Sequence, residues 1–199
     1  MSGDGGRRLI LHMSVSLDGF VAHPDHDLDW LAPEGLPDHG DQRHRLNLEL
    51  LSQVDLIVLG RRGYEDMVGA WSGSDNPMAQ LMNSLPKLVF SRSLPAVDWS
   101  NASLCRRPVE EEIPERKAEG GKDMVVFGGA RIANSLIRER LVDEYRLTVH
   151  PVALGKGLPL MHGIPEPQRL EMVSSTVYAD GSVAQVLRPL PIGGDSSRP

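Results

Sequence analysis

The chain has 199 residues, a formal net charge of −6 and one cysteine, Cys105. A chain this long buries roughly 70% of its unfolded surface without a disulfide or metal staple, and a lone cysteine forms no intramolecular bridge, which fits a reducing, cytoplasmic setting. The acidic balance disfavours general nucleic-acid binding, and no apolar run approaches the ~20 residues that span a membrane.

The opening MSGDGGRR and the closing PIGGDSSRP are polar and Gly-rich, so residues 1–7 and 191–199 read as loose tails of a single domain over 1–199. RLILHMSVSLDG (8–19) reads as a strand closed by an Asp18-Gly19 turn. The loop that follows carries His23, Asp25, His26, Asp27 and Asp29. These residues lack a regular metal-ligand spacing, so the loop reads as a lid rich in turn-formers and no metal is expected. Residues 31–40 form a further loop. Leu46, Leu50 and Val54 recur at four-residue spacing and predict a helix over 39–53.

VDLIVLG (54–60) is a short apolar run, read as a strand buried on both faces, and a helix starts after its glycine. Asn76-Pro77 signals a helix over 76–84, and KLVFS (87–91) a strand. Residues 108–119 are acidic in front and basic behind, as the helix dipole favours. DMVVFGG (123–129) is a strand feeding a helix over 130–140, and YRLTVHPVAL (145–154) is another strand. After a loop at 155–167, residues 168–178 and 182–189 flank Ala179-Asp180-Gly181 as a hairpin. Alternating strands and helices predict an α/β fold. The expected form is three layers, α/β/α, with a mostly parallel central sheet and an antiparallel C-terminal hairpin.

Three strand ends carry the candidate chemistry. In FGGARIANSLI (127–137), Gly128 and Gly129 bring backbone close to a ligand, and the helix behind them offers unpaired N–H groups. In LGRRGYEDM (59–67), Gly60 is followed by Arg61 and Arg62, whose planar forks suit phosphate oxygens. FSRS (90–93) adds Ser91 and Arg92. Each taken alone also reads as an ordinary strand-end turn. In a parallel sheet, however, carboxyl ends share one edge, and one phosphate-rich dinucleotide would use all three.

SLDGFVA, VLGRRGYEDM, VFSRS and FGGARIANSL…LVDEYRLTVHPVALGKG, in this order and spacing, resemble the dihydrofolate-reductase-like superfamily. They resemble in particular stand-alone relatives of the reductase domain of the bacterial riboflavin-biosynthesis deaminase-reductase. The likeness runs from about residue 8 to 188. It implies an NADPH-dependent oxidoreductase, with Gly60, Arg61 and Arg62 by the phosphates and Ser91 and Arg92 near the adenosine 2′-phosphate. Gly128, Gly129, Ala130 and Arg131 would cradle the pyrophosphate, the glycine pair often being joined by a cis peptide in the family. Val15, Val21 and Ala22 would flank the nicotinamide, and Thr148 would face the substrate. Gly63 stands where the family's strand-end motif carries threonine, and the acid that the first helix of true dihydrofolate reductases carries has His44, Asn47 and Glu49 as alternative occupants here.

The resulting expectation is hydride transfer to a small C=N or C=O substrate. This is similar to 5-amino-6-(5-phosphoribosylamino)uracil reductase or dihydrofolate reductase, that is, riboflavin- or pterin-type chemistry. His44, Glu49 or an ordered water would supply the proton, and Asp18 would orient its loop or approach the nicotinamide. Trp30 or Trp71 is a candidate for stacking on a flat ring. The alternative is a non-catalytic NADPH- or drug-binding module of the same fold. A homodimer is expected from the resemblance, through the 145–154 edge and the hairpin.

Overall fold

The computed structural model describes residues 6–31 and 40–191, with side chains from residue 45 onward in the second segment. The chain runs β1 (Leu9–Ser16), β2 (Phe20–Ala22), a 3₁₀ turn (Asp29–Leu31), α1 (Gly40–Gln53), β3 (Val54–Gly60) and α2 (Arg61–Trp71). It continues through α3 (Pro77–Ser84), β4 (Lys87–Phe90), β5 (Ala102–Cys105), α4 (Val109–Ala118), β6 (Asp123–Phe127) and α5 (Ala130–Arg138). The last elements are β7 (Glu144–His150), β8 (Leu158–Pro159), β9 (Leu170–Val177) and β10 (Val183–Pro189).

Eight strands form one sheet in the order β5-β4-β3-β6-β1-β7-β10-β9. The pairs among β5, β4, β3, β6, β1 and β7 are parallel, while β10 pairs antiparallel with both β7 and β9. The expected parallel sheet with its antiparallel hairpin is therefore present. Its layers follow from the two-residue period of the strands. Leu9, Leu11, Met13 and Val15 of β1 join Ile113 of α4 and Ile132, Leu136 and Ile137 of α5 in one buried cluster. Ile10 turns the other way, among Leu50 and Leu51 of α1, Tyr64 of α2 and Met78 and Met82 of α3. Helices thus cover both faces, which completes the α/β/α arrangement.

Asn76 begins α3 as the sequence signals, its side chain accepting from the Ala79 amide at 2.8 Å. Three points depart from the sequence reading. The 8–19 strand stops at Ser16, because Ser16 and Asp18 use their side chains to close a turn, and β2 then pairs separately with β8. β5 was not anticipated, since Ala-Ser-Leu-Cys is short and mixed in polarity, and its pairing with β4 is what makes it a strand. At the amino end, Arg7 is not loose. Its guanidinium pairs with Asp55 and donates to the Lys122 and Arg116 carbonyls. The remaining tail residues, 1–5 and 192–199, lie outside the described residues. Among the described residues, no helix is long and apolar enough to cross a membrane.

Candidate active site

At the carboxyl ends of β3, β4 and β6 the chain encloses an open cleft of about 990 Å³. Gly60, Arg61 and Arg62 line it from β3 and α2, Ser91 and Arg92 from the end of β4, and Gly128, Gly129, Ala130 and Arg131 from the β6–α5 turn. Val21 and Ala22 close one wall together with Leu158, where β2 meets β8. The parallel register that places β3 between β4 and β6 brings these segments together.

The glycine turn has a clear steric cause. Gly128 and Gly129 lie at φ +79° and +85°, a region that L side chains rarely adopt. A Cβ on Gly129 would come 3.1 Å from Cγ2 of Ile132, and one on Gly60 would come 3.1 Å from Cβ of Ile132. Backbone therefore forms the cleft surface at both places. Among the described residues there is no cis peptide, so the cis linkage expected of the glycine pair is corrected: two positive φ angles turn the chain with the peptide trans.

Gly129 caps α5 and Gly60 caps α2, neither with a side-chain hydrogen bond. The first bond inside α5 is Ala133 N–H to the Gly129 carbonyl, which leaves the amides before it unpaired within the helix. Two helix N-termini, each equivalent to about half a positive charge, thus open into one cleft. Arg61 bonds to Glu65 at 2.8 Å and to Ser93 at 3.0 Å, and Arg62 to Asp66 at 3.1 Å. Both are exposed i,i+4 pairs worth about 1 kcal/mol or less, so an incoming phosphate can displace them. Arg92 and Arg131 are exposed and have no side-chain partner among the described residues. Arg106 donates to the Arg92, Leu94 and Pro95 carbonyls and so holds the loop that carries Arg92. This donor set and this bare backbone fit a dinucleotide with its phosphates.

Of the residues expected to be catalytic, Thr148, Asp18 and Glu49 are not among those that line the cleft. Thr148 is buried within β7, level with Ser14 and Ala184, and is not among the cleft-lining residues. Asp18 accepts from Ser16 Oγ at 2.6 Å and from the Leu154 and Gly155 amides at 3.1 and 2.7 Å. These bonds, the serine's first, lower its pKa to about 2, and its carboxylate ties the turn after β1 to the loop before β8. Glu49 is an exposed residue of α1 outside the cleft lining, and the His44 side chain lies outside the described residues. Val15 packs in the core cluster with α5 and is not among the cleft-lining residues, although Met13 and Ser14 before it are. Trp30 is buried edge-on to His150 at 5.4 Å and Trp71 packs on the core, so neither offers a stacking face in the cleft. In the 23–29 loop, Asp25 and Asp27 accept from backbone amides of the loop.

Asn47, one of the alternatives for the first-helix acid, lines the cleft beside a residue that was not singled out, His12. His12 lies in mid-β1, level with Phe127 of β6 and Arg146 of β7. Its Nε2 is 2.9 Å from Oδ1 of Asn47 on α1, and its ring lies 5.1 Å from that of Phe127. Burial lowers its pKa to about 4, the Asn47 bond opposing and the Arg146 charge adding to the effect. The imidazole is therefore neutral at pH 7. The signal was available: His12, Ser14 and Ser16 alternate with Met13 and Val15, a polar face on an otherwise apolar strand.

The family model described as the RibD C-terminal domain matches residues 7–184. YyaP of Bacillus subtilis (strain 168), an uncharacterized protein, is 33% identical over 183 residues, covering 89% of this chain and 92% of its own. The riboflavin biosynthesis protein RibD of Corynebacterium ammoniagenes is 26% identical over 168 residues, covering 76% of this chain but 45% of its own. Among solved structures, a candidate riboflavin biosynthesis protein from Shewanella sp. PV-4 is similar with a TM-score of 0.72 at 26% identity, over 92% of this chain and 99% of its own.

Proposed function

The chain belongs to the RibD C-terminal domain family, and from that premise we propose that it is an NADPH-dependent reductase acting on a small C=N or C=O substrate. The family is that of a reductase domain, which sets the reaction class at a coarse level. One observation supports the finer reading above all: three strand ends deliver bare glycine backbone, two uncapped helix N-termini and at least four guanidinium groups to one cleft.

Gly128, Gly129 and the α5 N-terminus would hold the pyrophosphate, with Arg61 and Arg62 opposite. Arg92 would meet the adenosine 2′-phosphate, which distinguishes NADPH from NADH. Val21 and Ala22 would form the wall beside the reactive ring. When bound, the cofactor supplies the hydride. The protein's part is to orient donor and acceptor and to narrow the space around them. Solvent entering the open cleft would supply the proton that completes the reduction. The reading includes a homodimer: β9 is exposed along almost its full length, with Met172, Val173 and Val177 on its surface. Sedimentation at two concentrations tests that point, and a monomer throughout ends it.

The test of function is thermal melting with NADPH and, separately, NADH. A ligand at a hundred times its Kd stabilises by about 2.7 kcal/mol, a shift of several degrees at this size. The expected result is a larger shift with NADPH, which Arg92→Ala reduces to the NADH level. No shift with either nucleotide sinks the reading.

A further inference from the structure

We propose that Arg106, at the end of β5, is a positioning residue that sets the preference for NADPH over NADH, by fixing the backbone of the 91–95 turn so that Arg92 is held where a 2′-phosphate meets it. The proposal rests on the dinucleotide reading above for the cleft's purpose. It assigns the selectivity to a second arginine, one that acts on the turn.

The turn is held from two sides. Inside it, Ser91 Oγ accepts from the Ser93 and Leu94 amides at 3.3 and 3.1 Å. From outside, one terminal nitrogen of Arg106 donates to the Arg92 carbonyl at 3.0 Å, and the other to the Leu94 and Pro95 carbonyls at 2.9 and 3.4 Å. The peptide unit between Arg92 and Ser93 is therefore gripped at both ends, its carbonyl by Arg106 and its N–H by Ser91. A peptide unit is planar, so holding both ends fixes ψ of Arg92 and the direction in which its side chain leaves the turn. The Arg92 side chain is exposed and has no side-chain partner among the described residues, so that direction comes from the backbone.

Strand pairing brings Arg106 to this place. The β4–β5 register ends at Phe90 and Cys105, and the Ser91 amide extends it by donating to the Cys105 carbonyl at 3.1 Å. Arg106 is the next residue of the chain, beside the turn. Its charge acts in the same sense. Three carbonyl oxygens gathered on one turn would repel a phosphate, and a guanidinium bonded to all three offsets them. Its rigid fork serves several acceptors at once, whereas a lysine ammonium is a point charge on a flexible stem. Arg107 also lines the cleft, but its terminal nitrogens bond to Glu112 and Glu115 at 2.6 to 2.8 Å and do not reach the turn. Two adjacent arginines on one wall thus have different work, and the second is a built-in control for the first.

The full-length protein and three variants are titrated with NADPH and with NADH, and the ratio of the two Kd values is read. The wild type is expected to prefer NADPH. Arg106→Met should lower that preference roughly tenfold, through weaker NADPH binding with NADH little changed. Arg106→Lys keeps the charge without the fork and should lose nearly as much. Arg107→Met removes the same charge from the same wall and should move the ratio by no more than about twofold, as screened charge at a distance does. A merely structural Arg106 would lower the melting temperature and weaken both nucleotides alike. An unchanged ratio in Arg106→Met, a wild-type ratio in Arg106→Lys, or an equal loss in Arg107→Met overturns the proposal. A wild type that binds both nucleotides equally overturns it and leaves the dinucleotide reading standing, whereas a wild type that binds neither removes that reading and the proposal with it.

Discussion

Gly63 of α2 lies against the amide of Gly129: a Cβ built on it would stand 3.8 Å from that nitrogen, an ordinary contact. The position where the family's motif carries threonine is thus occupied by glycine without being closed to a side chain. Gly63→Thr is expected to fold and to tighten NADPH by about fivefold, the worth of one hydroxyl hydrogen bond. Gly63→Ala should raise stability by up to about 1 kcal/mol through helix propensity, with no gain in affinity. Parallel melting and NADPH titrations separate the two effects, and equal affinities for threonine and alanine would show that the hydroxyl reaches no phosphate.

The two glycines of the turn differ in what a methyl group would meet. At Gly129 the neighbour is Cγ2 of the buried Ile132, at 3.1 Å. At Gly128 it is the far end of the Met67 side chain, at 3.2 Å, which can move aside. Both substitutions to alanine carry the cost of a positive φ, about 1–3 kcal/mol. Gly129→Ala should therefore destabilise more than Gly128→Ala in denaturant unfolding, and should lose NADPH binding as the turn deforms. Equal stabilities would show that Ile132 yields freely.

His12 makes stability depend on acid. Its pKa is about 4 in the folded protein against about 6.5 unfolded. Between these values the unfolded chain binds the extra proton, so stability rises with pH from about 4 to 6.5 and is flat above. The span is on the order of 3 kcal/mol. Unfolding free energies measured at several pH values in this window should show a slope that His12→Phe removes. A slope that survives this substitution assigns it to another group.

Lys87 does the same at the alkaline end. It is fully buried, donates to the Asn83 and Ser100 carbonyls at 3.0 and 2.8 Å, and lies 4.4 Å from the centre of the Trp99 ring. No carboxylate among the described residues offsets its desolvation, and its pKa falls to about 8 from 10.5. The unfolded chain holds the proton more tightly across that interval, so stability should rise as pH goes from about 8 to 10.5. Lys87→Met is expected to flatten this arm, and an identical arm in the variant would contradict the assignment.

The cofactor half of the cleft was legible in the sequence because it is built from local signals. A buried apolar run, then glycine, then a helix start can be read within ten residues, as at 54–63 and 123–131. The wall built by β5 and the residues after it, Arg106 and Arg107, was not legible. Ala102–Cys105 acquires its strand character only by pairing with β4.

The sequence alone determined the alternation of strands and helices, the hairpin at the end and the family. Each of these follows from periodicity, turn residues and motif order along the chain. The tertiary structure decided which polar residues meet. Asp18, expected to orient its loop or approach the nicotinamide, is bound by two amides 136 and 137 residues away. Thr148 is enclosed within the sheet, and His12 and Asn47, 35 residues apart, come within 2.9 Å across the layer between β1 and α1. Local backbone preference acts over a few residues and is written in the sequence pattern. Contacts between side chains on different elements depend on strand register and on how a helix settles on its sheet, and these are set only when the whole core packs.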